Sequence, residues 1–409
     1  MSVKKVALFT NEYPPYVYGG AGVHVEYLSK ALARILPVEV RCFGDQSYRE
    51  GNLTVRGYQP WEEMSRNTDK RFTSAMGAFS QSLAMAKDTL DAEVVHCHTW
   101  YTQMGGLLAS KLWDIPFVLT THSLEPLRPW KVEQLGPAYH LSSWMERTAI
   151  DGADAIIAVS RETRQDVWDH FGSAESRTQV IHNGIDLTEY RPVPSQEALK
   201  RRGVDPAKPY VLFVGRITRQ KGIIHLVDAI PYIDPKIQVV LLAGAPDTEE
   251  IGREMKDRVA QARSVRDGVI WVDEMVSRQE VIEFYSHATV FCCPSVYEPF
   301  GIINLEAMAC ETPVVASAVG GIPEVVVPEQ TGLLVNLELE AGTFTPREPE
   351  RFSRELAEAI NRIASDPQLA RRMGVAGRKR AEDHFSWDAI AAKTVELYDQ
   401  LIQRRQTAV

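Results

Sequence analysis

Residues 289–317 read TVFCCPSVYEPFGIINLEAMACETPVVAS, and this stretch decides the fold. It begins with a short apolar run, continues through a loop that contains Glu298 and a helical pattern from about Phe300 to Ala309, and ends in a second apolar run. Short apolar strands separated by a helix are typical of parallel sheets that are buried on both faces. The stretch therefore predicts a strand, a helix and a second, parallel strand.

Apolar runs of the same kind recur along the chain between helical patterns. In chain order they are VALFT, VEVRCF, VVHCH, FVLTTH, AIIAVS, YVLFVG, QVVLLAG, VIWVD and GLLV. This alternation predicts an α/β protein with two doubly wound, Rossmann-like sheets. A chain of 409 residues suits two domains of about 200 residues each, so we expect two domains that face a cleft.

The composition suggests where the domains divide. Residues 191–209 read RPVPSQEALKRRGVDPAKP, a mixture of prolines and charges typical of a linker. We therefore expect an N-terminal domain over 1–190 and a C-terminal domain over 191–385. A final amphipathic helix over about 386–405 is free to pack back on the first domain.

Charge and cysteine content exclude several classes of protein. The formal net charge of −9 argues against a nucleic-acid partner and against an anionic membrane surface. No apolar stretch approaches the roughly 18 residues of a membrane helix, and the N-terminus lacks the apolar core of a signal peptide. The odd number of cysteines, without CxxC spacing, indicates reduced core residues. We expect a cytoplasmic protein, possibly a homo-oligomer.

A glycine-rich turn follows the first strand, in PPYVYGGAGVH. Gly19, Gly20 and Gly22 precede a helix expected near Val23, where backbone amides and the helix N-terminus favour a phosphate. The pattern is not GxGxxG, so a turn without any ligand remains an alternative, and a nicotinamide-dependent oxidoreductase is only a distant one.

Two cations follow the strand YVLFV, within GRITRQKG. Arg216 and Lys221 are expected at the carboxyl end of a parallel strand, where open α/β sheets bind their ligands. In an acidic protein this pair suggests a clamp for a pyrophosphate, although ordinary surface charges remain possible. The Walker A spacing is absent, which disfavours an ATPase.

The helix in the opening stretch is expected to bind an extended ligand. With Pro299 at the first helical position, the next amides lack partners within the helix and can point at a phosphate; they belong to Phe300, Gly301, Ile302 and Ile303. Glu306 lies about two turns further, roughly 10 Å from Glu298 between Cα atoms. The two carboxylates are therefore expected to anchor different parts of one ligand.

Histidines close two other predicted strands. His96 and His98 form an HxH pair, but no third ligand stands at a recognisable spacing, so a structural or acceptor-side role is favoured over a metal site. His122 ends the strand FVLTT and is either a pocket residue or a structural one. No DxD triplet is present, which weakens the case for a metal-bridged sugar nucleotide.

Taken together, these motifs resemble the retaining GT-B glycosyltransferases of family four along essentially the whole chain. Within that family the chain is similar to the glycogen synthase and maltose-1-phosphate synthase group. The motifs that carry the resemblance are EYPPYVYGGAGVHVEYL, VVHCHTWYTQMGG, THSLEPLRPWKVEQLGPAY, SSWMERTA, NGID, VGRITRQKG and EPFGIINLEAMACETPVVAS. One departure is the GGAG turn, which stands where classical bacterial glycogen synthases carry a lysine-containing KxGG.

The resemblance implies a role for each matching residue. Gly20 would back the donor phosphate, while Arg216 and Lys221 would hold the pyrophosphate. Glu298 would engage the hydroxyls of the donor sugar and Glu306 the ribose. His122 would border the anomeric carbon. Backbone groups around residues 271–275 would read the nucleobase.

The implied reaction is glucosyl transfer with retention, from ADP-glucose to an α-1,4-glucan or to glucose-1-phosphate, without a metal or another cofactor. The alternatives are UDP- or GDP-sugar donors and acceptors such as sucrose, trehalose or an inositol. Arg128 and Lys131 follow His122 within one loop. Together with His98, they are candidate residues for the acceptor side of the site. Their charges would suit a phosphorylated acceptor; the alternative is that both are ordinary rim charges or pair with Glu125 and Glu133.

Overall fold

The chain folds into two compact units. In a computed structural model that describes residues 3–66, 69–127, 136–340, 343 and 345–407, the first unit comprises Met1–Gly184 and Trp387–Val409, and the second comprises Ile185–Ser386. The boundary thus falls at Gly184 rather than at residue 190. The proline-rich residues 191–209, expected as a linker, belong to the second unit.

The first unit is built on an eight-stranded sheet in the order β3-β4-β2-β1-β5-β6-β7-β8. Its strands are β1 (Val6–Thr10), β2 (Val38–Phe43), β3 (Ser47–Glu50), β4 (Leu53–Tyr58), β5 (Val94–His98), β6 (Phe117–Thr121), β7 (Ala155–Ala158) and β8 (Thr178–Val180). Among the described strands of this sheet, only β3 runs antiparallel, against β4. The strand order reverses direction between β1 and β5, which makes their carboxyl ends a switch point for ligand binding.

The second unit is built on a six-stranded parallel sheet in the order β11-β10-β9-β12-β13-β14. Its strands are β9 (Tyr210–Arg216), β10 (Gln238–Gly244), β11 (Val269–Val272), β12 (Val290–Cys293), β13 (Val314–Ser317) and β14 (Gly332–Val335). This is the doubly wound order, with its switch point between β9 and β12.

Helices cover the faces of both sheets. In the first unit they are α1 (Gly20–Ala33), α2 (Glu62–Ser65), α3 (Thr73–Lys87), α4 (Trp100–Trp113), α5 (Tyr139–Gly152) and α6 (Arg161–His170). In the second they are α7 (Glu197–Arg201), α8 (Ile223–Ala229), α9 (Glu249–Val265), α10 (Arg278–His287), α11 (Ile302–Ala309), α12 (Ile322–Val325), α13 (Pro349–Ala364) and α14 (Pro367–His384). The last helix, α15 (Trp387–Thr407), completes the first unit. Short 3₁₀ turns span Glu125–Leu127, Gly136–Ala138, Gly172–Arg177 and Ile230–Tyr232.

The strands are apolar on both faces because each sheet lies between two layers of helices. Along β1, Val6 and Leu8 join one core of the first unit, while Ala7 and Phe9 join the core on the opposite face. Two Rossmann-like α/β units with essentially parallel sheets were predicted, and the structure confirms them. The hairpin of β3 and β4 and the short β8 were not predicted.

Helix α15 contributes to the first core through the buried residues Trp387, Ile390, Tyr398 and Leu401. All five cysteines are free and buried, as expected. Among the described helices, none is both long and apolar enough to pass through a bilayer.

Candidate active site

Chemistry-bearing residues of the second unit gather at its switch point. Arg216 ends β9 and Lys221 lies in the loop that follows, while Glu298 lies in the loop after β12. Strands β9 and β12 are neighbours in the sheet, so both loops leave the same edge side by side. The fold therefore brings Glu298 to the loop of Arg216 and Lys221, although Glu298 follows Lys221 by 77 residues in the sequence.

Lys221 and Glu298 form a direct ion pair. The Nζ of Lys221 lies 2.5 Å from Oε2 of Glu298, and the two side chains are only 20% and 9% exposed. The hydroxyl of Ser295 donates to the same oxygen at 3.3 Å. Burial lowers the pKa of Lys221, but the negative charge of Glu298 and its hydrogen bond with Lys221 oppose burial, and the net pKa is raised. Lys221 is thus a fixed cation at the edge of the sheet.

The backbone around Lys221 explains how the pair forms. Gly222 has a φ of 60°, and a Cβ added there would lie 2.0 Å from the carbonyl oxygen of Pro294. The amide of Val296 donates to the carbonyl of Gln220 at 2.9 Å. The loop after β9 is therefore pressed against the loop after β12, and only glycine permits that approach.

The second predicted cation also has a carboxylate partner. Nη1 of Arg216 lies 2.7 Å from Oδ1 of Asp247, and both side chains are partly buried. Asp247 follows β10, the strand beside β9, and was not among the predicted site residues. A signal was available, since AGAPD places an acid just after an apolar strand.

Helix α11 begins later than predicted. It starts at Ile302, and Gly301 precedes it with a φ of 94°, a left-handed conformation that glycine adopts readily. Pro299 is therefore not the first helical residue, and Phe300 and Gly301 lie before the helix. The ring of Phe300 is buried 5.9 Å from that of Phe385, so its side chain packs in the core.

The amides at the start of α11 belong to residues of differing burial. Ile302 and Ile303 are partly exposed, whereas Asn304 is fully buried. Among the described residues, neither Oδ1 nor Nδ2 of Asn304 has a hydrogen-bond partner. Buried amides are rarely left unsatisfied, so Asn304 joins the candidate ligand-binding residues, although nothing in the sequence had marked it.

Glu306 lies buried inside α11 and accepts two phenolic hydrogen bonds. The hydroxyls of Tyr190 and Tyr285 lie 3.1 Å from Oε1 and Oε2 respectively. Burial raises the pKa of Glu306, and the two tyrosine hydroxyls partly oppose that rise. Two donors in fixed positions orient the carboxylate, which is what a residue that recognises hydroxyl groups requires.

A pocket of about 360 Å³ lies beside Arg216, at the carboxyl ends of β9, β10 and β11. Its lining includes Ile217, Gly244, Trp271 and Asp273. The indole Nε1–H of Trp271 donates to the carbonyl of Ala243 at 2.7 Å, which fixes the ring. The pocket includes part of the 271–275 segment expected to read a nucleobase.

In the first unit, the glycine turn holds an internal carboxylate. Helix α1 starts at Gly20, earlier than the predicted Val23. Oε2 of Glu12 accepts hydrogen bonds from the amides of Tyr18 and Gly19 at 2.8 and 2.7 Å. A Cβ on Gly22 would lie 2.7 Å from that same oxygen. Gly22 is thus explained by the space that the Glu12 carboxylate occupies, without any ligand.

Three histidines converge at the switch point of the same unit. His98 ends β5, His122 follows β6, and His24 lies in the second turn of α1, after β1. One ring nitrogen from each lies within 4.8 Å of the others. Nδ1 of His98 lies 3.1 Å from Nε2 of His122. His98 and His122 were predicted site residues, whereas His24 was not, because only the strand order brings it near them.

Comparisons with known proteins agree with both halves of this arrangement. Residues 18–189 match the family model described as "Glycosyltransferase Family 4", and residues 195–380 match "Glycosyl transferases group 1". The chain is 48% identical over 402 residues to an alpha-maltose-1-phosphate synthase from Mycolicibacterium smegmatis, covering 96% of this chain and 98% of that protein. This chain belongs to the group 1, family 4 glycosyltransferases.

More distant relatives and solved structures show the same fold. The glycosyltransferase is 29% identical to a glycogen synthase of Mycobacterium tuberculosis, over 96% of this chain and 94% of that one. A sucrose-phosphate synthase from Thermosynechococcus elongatus superposes with a TM-score of 0.76 at 28% identity, covering 98% of this chain and all of that one. The catalytic domain of Arabidopsis thaliana starch synthase IV, bound to ADP and acarbose, superposes with a TM-score of 0.73 at 20% identity, covering 98% of this chain and 100% of that one.

These findings confirm the predicted GT-B fold and the prediction of a hexosyltransferase, and they displace the oxidoreductase alternative. The residue roles stay predictions. Two of them cannot be placed in this glycosyltransferase, because Arg128 and Lys131 lie outside the described residues.

Proposed function

We propose that this glycosyltransferase moves glucose from ADP-glucose to glucose-1-phosphate with retention of configuration, forming maltose-1-phosphate. The observation that carries the proposal is the 48% identity, over nearly both full lengths, to a protein named alpha-maltose-1-phosphate synthase. The ion pair of Lys221 and Glu298 supports the transfer chemistry, since a cation for the diphosphate and a carboxylate for the donor sugar are the roles that the resemblance to family 4 implies for these two residues.

In the proposed reaction the C1–O bond to the diphosphate breaks as O4 of the acceptor bonds to C1 on the same face. The departing phosphate takes the acceptor proton, so no protein nucleophile is required. Arg216 and Lys221 stabilise the negative charge that develops on the leaving group. Glu298 holds sugar hydroxyls, Glu306 holds the ribose, and His122 borders C1.

The donor base is proposed to occupy the pocket between Ile217 and Trp271, with its ribose toward Glu306. Gly20 is proposed to back the phosphates. No metal is proposed for the transfer step, because two protein cations already serve the diphosphate. The five free cysteines fit a reducing, cytoplasmic setting.

A glycogen synthase is the second candidate, favoured by the 29% identical relative of that name. The two differ in acceptor charge, since a glucan is neutral and glucose-1-phosphate is an anion. Arg128 and Lys131, which follow His122 in the sequence, would pair with that phosphate.

The deciding experiment compares initial rates with ADP-glucose or UDP-glucose and with glucose-1-phosphate or glycogen, the products being identified by NMR. We expect ADP-glucose with glucose-1-phosphate to be fastest. Arg128→Ala and Lys131→Ala should lose glucose-1-phosphate use selectively, while Lys111→Ala, an exposed cation on α4, should not. Equal loss on both acceptors, or a parent enzyme inactive with glucose-1-phosphate, would reject this acceptor.

A further inference from the structure

Two of the three converging histidines have a ring nitrogen that no described protein group satisfies, while Nε2 of His122 lies 3.1 Å from Nδ1 of His98. Nδ1 of His24 lies 2.7 Å from Oδ1 of Asn183, so Nδ1 carries the proton and donates it. The remaining lone pair is therefore on Nε2, which is buried without a hydrogen-bond partner among the described residues. Nε2 of His98 is buried and unpartnered in the same way. Two orphaned imidazole nitrogens in one cluster are unusual for a purely structural arrangement.

His96 shows what a structural histidine looks like here. Its Nδ1 lies 2.6 Å from the hydroxyl of Tyr398, and its Nε2 lies 2.7 Å from Oγ1 of Thr120. Both ring nitrogens are occupied, so His96 has nothing to offer a ligand. The HxH pair itself is therefore not a pair of metal ligands, and only His98 of the two faces the cluster.

We propose that His24, His98 and His122 bind a divalent transition metal of the zinc type. Three neutral imidazoles with an open fourth position form a common zinc ligand set, and a ring N–H held by a neighbouring oxygen, as in His24 with Asn183, is the usual second-shell support. With Zn–N bonds of about 2.0 Å, ligand nitrogens lie about 3.3 Å apart. The present separations of up to 4.8 Å need side-chain shifts of an ångström or so.

The location favours binding. His122 is partly exposed and provides the route of entry. An ion there would engage the residue proposed to border C1, so the metal should inhibit transfer.

The test is a titration of the full chain with metal alone, after EDTA treatment and desalting. Co²⁺ should produce the visible absorption of a low-symmetry nitrogen site, and Zn²⁺ calorimetry at pH 7.5 should give one equivalent. His24→Gln and His98→Gln should each weaken Zn²⁺ binding at least 100-fold, and Asn183→Ala should weaken it about 10-fold or more. His140→Ala, which removes an exposed histidine of the same unit, should leave binding unchanged.

Folding is checked by thermal melting, and a Zn²⁺-dependent rise in the parent melting temperature that is absent in His24→Gln gives a second, independent readout. Absence of binding in the parent, or affinity unchanged in both ligand variants, would overturn the site. Neither readout uses a sugar substrate, so the proposed function can fail while the metal site stands, and the reverse.

Discussion

Nζ of Lys221 lies 2.5 Å from Oε2 of Glu298, so the cation proposed for the diphosphate and the carboxylate proposed for the sugar hold each other in place. The pairing of Arg216 with Asp247 at 2.7 Å repeats this relationship one strand away. Both proposed phosphate ligands are thus fixed before a donor arrives, which reduces the reorganisation needed in the transition state.

Lys221→Met should lower kcat/KM by about two orders of magnitude or more, because it removes leaving-group stabilisation worth roughly 3 kcal/mol. It also leaves buried Glu298 without its counter-ion, so urea unfolding should show a loss of about 1–3 kcal/mol. Arg216→Ala should lose as much activity. Its free energy of unfolding should fall by less than about 1 kcal/mol, because the pair with Asp247 is more exposed. Turnover close to that of the parent in either variant would show that the substituted residue does not stabilise the leaving diphosphate.

Glu298→Gln and Glu306→Ala should have different signatures. The first should reduce transfer strongly while ADP binding, measured by calorimetry, stays close to that of the parent. The second should mainly weaken ADP and ADP-glucose, because both contain the ribose. Tyr190→Phe removes one hydroxyl that orients Glu306 and should weaken ADP several-fold. Equal loss of ADP affinity in the two glutamate variants would reverse our assignment of sugar and ribose.

Gly222→Ala should be far more harmful than Gly203→Ala, although both glycines have positive φ. At Gly203 the added Cβ meets nothing within 4 Å, so the backbone penalty of about 1 kcal/mol should stand alone. At Gly222 the Cβ would lie 2.0 Å from the Pro294 carbonyl, and we expect a loss of about 3 kcal/mol or more together with reduced activity. Similar unfolding midpoints in urea would contradict this account of the loop.

Asp166→Asn should stabilise the protein at alkaline pH. Burial, with a smaller contribution from Glu162, raises the pKa of Asp166 to about 7, above its value of about 4 in unfolded chains. The native state therefore holds the proton more tightly, and stability falls as the pH rises between these values. Asparagine avoids that loss. We expect a gain of about 1–2 kcal/mol at pH 8, allowing for partial solvent exposure, and little gain at pH 4. A difference in unfolding free energy between variant and parent that does not change with pH would contradict the raised pKa of Asp166.

Activity should survive EDTA, since Arg216 and Lys221 already provide positive charge for the diphosphate. Initial rates with and without the chelator, at fixed ADP-glucose, provide the measurement. If inhibitory metal accompanies the purified protein, the rate should rise rather than fall. Restoration of a lost activity by Mg²⁺ or Mn²⁺ would show that the transfer step requires a metal.

Local pattern was enough to predict the parallel strands, because runs such as VALFT and QVVLLAG are largely apolar on both faces. The start of α11 was misplaced because Pro299 suggested a first helical residue, whereas the left-handed Gly301 delays the helix. The contact between Lys221 and Glu298 spans 77 residues and depends on β9 lying beside β12. His24 joined His98 only once β1 was known to lie beside β5. Strand order is a non-local property that sequence periodicity does not contain.

Helix α15 has a consequence for biosynthesis. Trp387, Ile390 and Tyr398 complete a core whose other members begin at Val3. In the sequence, the whole second unit, Ile185–Ser386, lies between the two segments of the first unit. On the ribosome, most of the first unit emerges early, yet its core closes only after residues 387–401 have been translated, while the second unit has all its residues sooner. Nascent chains released before residue 387 should therefore expose apolar surface on the first unit and engage chaperones.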